Sequence, residues 1–110
     1  MSSASCILQP AFEQAVHHAQ TLEKHGEAFE KMAGSLEGRL LTKEQAEFIE
    51  SAGQQIQQHA RLIKATAELA LENKQYSLEE HALVQQQQHQ AVLLHIKAIQ
   101  VMLQVTQPLI

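Results

Sequence analysis

Tryptophan is absent, aromatic residues make up 4 % of the chain, and one cysteine and two prolines occur in 110 residues. Each shortage removes a class of function. With so few flat rings there is no platform on which single-stranded nucleic acid can stack its bases. A formal charge of −4, with no cluster of lysine and arginine, leaves no basic stripe for a phosphate backbone. Cys6 alone closes no intrachain disulfide, which fits a reducing compartment, and the expected location is the cytoplasm. The opening MSSASCILQP has neither a basic start nor a long apolar stretch, so no secretory signal is read there. The most apolar segment, 91–105, is interrupted by His95, Lys97, Gln100 and Gln104 and falls short of the roughly 20 residues a spanning helix needs. Neither nucleic acid nor a membrane is therefore an expected partner.

Catalytic patterns are missing too. There is no glycine-rich phosphate loop and no Glu-x-x-His pair, and Cys6 sits in a Ser-rich segment without a neighbouring base. Acidic residues are scattered along solvent faces rather than gathered at inward positions, as a metal-dependent hydrolase requires. The expectation is a protein that is not an enzyme and uses no cofactor.

What is present is helical periodicity. Pro10 suits a first helical turn and Pro108 a stop. Thr42-Lys-Glu-Gln45 and Ser77-Leu-Glu-Glu80 have the form of capping boxes, and the glycines of Gly34-Ser-Leu-Glu-Gly38 mark a helix end. These signals predict a flexible leader over 1–9 and a single helical domain over 10–107, with helices at about 10–36, 42–74 and 77–106. The fold class is all-α, an antiparallel three-helix bundle, expected to dimerise into a larger one. The turn at 35–38, with Tyr76-Ser-Leu-Glu-Glu80, resembles over residues 10–80 the small secreted helical hairpins that carry a Trp-x-Gly turn and a Tyr-x-x-x-Asp/Glu export signal. The tryptophan is missing and a third helix follows, so no family is assigned.

In the first helix Phe12, Ala15, Ala19, Leu22, Gly26, Phe29, Ala33 and Leu36 step by alternating threes and fours, the seam of a left-handed bundle. Ala46, Ile49, Gly53, Ile56, Ala60, Ile63, Ala67 and Ala70 repeat it in the second. Folding one helix back on the other sets Ala33 level with Ala46, Gly26 with Gly53 and Ala19 with Ala60. Two glycines at one level predict a close backbone approach, because glycine inside a helix costs on the order of 1 kcal/mol relative to alanine. For the third helix the same rule gives the seam Leu78, Ala82, Gln85, His89, Val92, Ile96, Ile99 and Leu103. Gln85 and His89 then form a polar seam, either a device that fixes register or a wet end of the bundle.

Apolar surface is left over. The second helix has a further stripe through Phe48, Ala52, Leu62 and Leu69, and the third has Val84, Ala91, Ala98, Met102 and Val105. Phe48, Leu62, Leu69, Val84, Ala91, Met102 and Val105 are the expected interface. Its partner is a second copy or a helix of another protein, unless the leader folds over it. Level positions also bring His18, His59 and His95 within about one turn, which makes them candidate ligands for a metal or small molecule. No histidines have the four-residue spacing of a helical metal pair, so no metal is expected. Protonating all seven histidines would take the formal charge from −4 to +3, and a buried His89 would loosen the bundle in acid. The functional expectation is a non-catalytic interaction module, an adaptor, chaperone-like protein or small regulator. The alternative is a histidine-lined metal- or ligand-binding bundle.

Overall fold

A computed structural model of the chain describes residues 3–106, with side chains from 7 to 105. Three helices, α1 (Ser3–Leu36), α2 (Lys43–Asn73) and α3 (Leu78–Thr106), run up, down and up. Among the described residues there is no strand; the extended residues Glu37 and Leu41 form one isolated bridge inside the first turn. The bundle measures 59 × 25 × 17 Å, with a radius of gyration of 17.0 Å. A compact domain of this length would have about 13 Å. So long and thin a molecule covers its own apolar residues poorly.

The helix ends follow the local chemistry. After Leu36 the chain turns through Gly38 at φ 78°, a left-handed conformation in which a Cβ is strained. The Gly38 N–H donates to the Leu41 carbonyl at 2.9 Å, and Leu41 itself is buried. Thr42 then caps α2: its hydroxyl accepts from the Gln45 backbone at 3.1 Å, and the Gln45 side chain accepts from the Thr42 N–H at 2.9 Å. Lys74 ends α2 in the left-handed region, where its N–H reaches the carbonyls of Ala70 and Leu71. The Ser77 hydroxyl accepts from the Glu80 N–H at 3.1 Å and opens α3.

One boundary differs from the sequence reading. α1 begins at Ser3, so Pro10 lies inside it and residues 3–9 of the expected leader are helical. Proline there removes one intrahelical hydrogen bond, but Leu8 is only 3 % exposed and packs on the core. Burying a leucine contributes about 1.5–3 kcal/mol, comparable to the proline penalty.

The α1 and α2 seams are the core as read. Every seam position of α2 is buried, and on α1 all but the half-buried Leu36 are. A Cβ placed on Gly26 would lie 2.6 Å from the Gly53 carbonyl oxygen, and one on Gly53 would lie 2.6 Å from the Gly26 carbonyl oxygen. The two backbones therefore touch where the glycines are level. Gln57 lies across this contact, buried, and its amide donates to the Glu30 carboxylate and to the Gly53 carbonyl.

α3 is rotated from the expected orientation by one residue, about 100°. Its buried line is Val84, Ala91 and Ala98, with Leu94, Val101, Met102 and Val105 half-buried around it. The expected seam from Leu78 to Leu103 faces outward, Gln85 and His89 included. Two physical reasons favour this rotation. Alanines at 91 and 98 let α3 approach the other helices closely, and the rotation keeps Gln85 and His89 out of the chain's own apolar core, where burial without a partner would be costly. Val84 and Ala91, expected at an interface, belong to the chain's own core, and Met102 and Val105 pack against that core. Gln85 and His89 are surface residues, not a polar seam within the bundle.

Candidate interaction surface

α1 packs most extensively on α2, less is shared between α2 and α3, and α1 and α3 touch least. The open side between α1 and α3 therefore leaves the α3 seam uncovered. Val92, Ile96, Ile99 and Leu103, at heptad spacing, are each between 37 % and 51 % exposed, and Leu78 continues the line toward the helix start. A second apolar strip lies where α2 meets α3. Leu62 and Leu83 line a cleft of about 240 Å³ there with Thr66 and Gln87, while Phe48 and Leu69 are exposed further along α2. Of the expected interface residues, Phe48, Leu62 and Leu69 are thus on the surface, and the four on α3 are replaced by its outward seam.

The polar tract 85–90 serves two clefts. Gln88 donates to the His18 imidazole at 2.8 Å across the α1–α3 side. On the α2–α3 side, the His59 imidazole donates to the Gln87 side-chain amide oxygen. Seven residues beyond His18 and Gln88, His25 and His95 stack obliquely with ring centroids 5.1 Å apart, and Phe29 meets the His95 ring edge-on at 5.2 Å. His81 packs edge-on against Phe12, which also stacks on Tyr76. Burial holds the His95 imidazole below the usual histidine range, and the neighbouring His25 pushes the same way.

The three candidate ligands do not converge: His18 binds Gln88, His59 binds Gln87, and His95 binds in the His25–Phe29 stack. Among the described residues no three histidine, cysteine or carboxylate side chains gather where they could hold a metal ion. Among those residues, too, every buried side-chain nitrogen and oxygen has a hydrogen-bond partner. No described helix is long and apolar enough to cross a membrane.

Sequence reading missed Gln87, Gln88 and His25 as partners because the rotation of α3 decides which side of the polar tract meets which helix. A signal for that rotation was present. Small residues recur every seventh position in the first two seams, at 19, 26 and 33 and at 46, 53, 60 and 67, and only the line through Ala91 and Ala98 repeats that habit in α3. No protein family, no curated protein and no solved structure matches the chain, so a functional reading rests on the geometry of these surfaces.

Proposed function

We propose that the chain is a non-catalytic helical interaction module of the cytoplasm, an adaptor, chaperone-like protein or small regulator that docks a helical partner on the apolar surface of α2 and α3. The partner is a second copy or a helix of another protein rather than nucleic acid or a membrane. The observation that carries this reading is the pair of apolar strips: Phe48, Leu62, Leu69 and Leu83 on one side, and Val92, Ile96, Ile99 and Leu103 on the other. Exposed apolar area of this extent, rimmed by polar residues, is characteristic of contact surfaces. Covering the exposed part of the four α3 residues in two copies contributes about 5–10 kcal/mol before association costs, which are themselves about 4–15 kcal/mol. The two ranges overlap, so the four residues support weak, reversible association at most.

The test replaces Leu62, Leu69, Ile96 and Leu103 with aspartate. All four are exposed, so helicity by circular dichroism should persist. Association by sedimentation equilibrium and fluorescence enhancement of a hydrophobic dye should both fall sharply. A variant that associates and binds dye like the parent would overturn the reading.

A further inference from the structure

We infer that the outward seam of α3 pairs with the same seam of a second copy, parallel and in register, so that Gln85 meets the partner's Gln85 and His89 the partner's His89. This rests on the interaction role proposed above and names the occupant of one of its two strips.

Charge is the first argument for a second copy. Beyond its acidic first turn, Glu79 and Glu80, α3 has one residue with a formal charge, Lys97, although the whole molecule carries −4. Lys97 lines the α2–α3 side with Gln55 and His59, away from the seam. From Ala82 to Leu103 two such seams meet without repulsion, and a partner selected by charge would find no counter-charge to read there. Interfaces between like subunits are depleted in charge in this way.

Size is the second. α3 is about 40 Å long and its seam is one helix wide, about 10 Å. That strip, on the order of 400 Å² per copy, falls in the small class of interface that reversible pairs use.

The order of residues along the seam decides orientation. Leu78, Ala82, Gln85, His89, Val92, Ile96, Ile99 and Leu103 alternate steps of four and three without a break. In a parallel, in-register pair, apolar layers meet apolar layers throughout and the two polar layers meet each other. An antiparallel pair that matches Gln85 with His89 moves Ile99 and Leu103 beyond the start of the partner's α3. The antiparallel pair that keeps all eight layers sets Gln85 on Ile96 and His89 on Val92, polar on apolar at four places. Polar residues at seam positions specify register by this kind of mismatch. Thus the half of α3 that is polar on a bundle-facing reading becomes the selective half of an outer seam.

Disulfide trapping tests this in a Cys6→Ser background. Ala82→Cys and Leu103→Cys, made separately, lie at opposite ends of the seam and are both exposed; Gln104→Cys lies off it. Seam positions in a parallel two-helix pair have the Cα separation a disulfide requires. Both seam variants should cross-link to themselves about a hundredfold faster than Gln104→Cys, because a docked pair has a millimolar effective concentration against micromolar protein in bulk. A dimer by sedimentation equilibrium in which neither seam variant outpaces the control overturns the parallel pairing and leaves the interaction role standing. A monomer whose dye binding is still abolished by Ile96→Asp with Leu103→Asp overturns self-pairing alone. A monomer indifferent to those substitutions overturns both.

Discussion

Replacing Gly53 by alanine sets two effects of opposite sign against each other. In an exposed helix the change would stabilise by about 1 kcal/mol, through lower backbone entropy in the unfolded chain. Here the new methyl would lie 2.6 Å from the Gly26 carbonyl oxygen and 3.2 Å from the Glu30 nitrogen. Both are backbone atoms and cannot swing aside. Reaching ordinary contact near 3.4 Å requires α1 and α2 to separate by about 0.8 Å, and gaps of 0.5–1 Å forfeit a quarter to a half of each van der Waals well. The levels Ala19–Ala60 and Ala33–Ala46 would share the loss. Overpacking of this kind costs about 1–3 kcal/mol, and the rigid neighbour places it at the upper end. The net effect is a destabilisation of about 2 kcal/mol, or roughly 10 °C in Tm for a chain of this size. Urea unfolding followed by circular dichroism, at one fixed protein concentration because association adds to stability, measures it directly. Gly34→Ala is the control: that glycine is also helical, but nothing lies within 4 Å of its added Cβ, and stability should rise by about 0.5–1 kcal/mol. A Gly53→Ala protein as stable as Gly34→Ala would refute the close approach and the register that produces it.

Other outcomes follow from the same structure. Gly38→Ala should cost about 1–2 kcal/mol, measured by the same unfolding assay, because its φ of 78° strains any Cβ even though the space is empty. Val84→Ala should destabilise by about 2 kcal/mol, since that side chain is buried in the chain's own core, whereas Ile96→Ala should leave monomer stability within about 0.5 kcal/mol and weaken association instead. Stability should decline as pH falls below about 6.5, because His95 resists protonation when folded and accepts a proton freely when unfolded; the loss begins at the unfolded value and levels off below the folded one. His95→Gln should flatten that part of the profile, and an unchanged slope in chemical denaturation between about pH 7.5 and pH 5 would remove His95 from the account.

The first two helices were legible because their seams are nearly pure: small and large apolar residues alternate at heptad spacing, and polar residues interrupt neither line. Thr42 and Gln45 marked the α2 start through side chains that can satisfy only a helix terminus. The start of α1 was less so, because proline's usual place at a first turn outweighed the value of burying Leu8, which only the folded core reveals. α3 carries two apolar lines one residue apart, and a choice between them depends on the size of what each must pack against. The alanines at 91 and 98, fully buried, allow α3 a close approach; the larger valine, isoleucines and leucine at 92, 96, 99 and 103 do not. From that one rotation follow the surface position of His89 and the positions of Gln87 and Gln88, which bind His59 and His18. The histidine trio failed for the same reason, since level position along an axis says nothing of the direction in which a ring points.

Light scattering coupled to size exclusion, run at several loading concentrations, bears most directly on the claim that the outward seam of α3 is covered by its own kind. The pairing predicts a mass of twice 12.3 kDa at high loading that falls toward 12.3 kDa on dilution and on substitution of Ile96 and Leu103 by aspartate. A mass of 12.3 kDa at every concentration would contradict it.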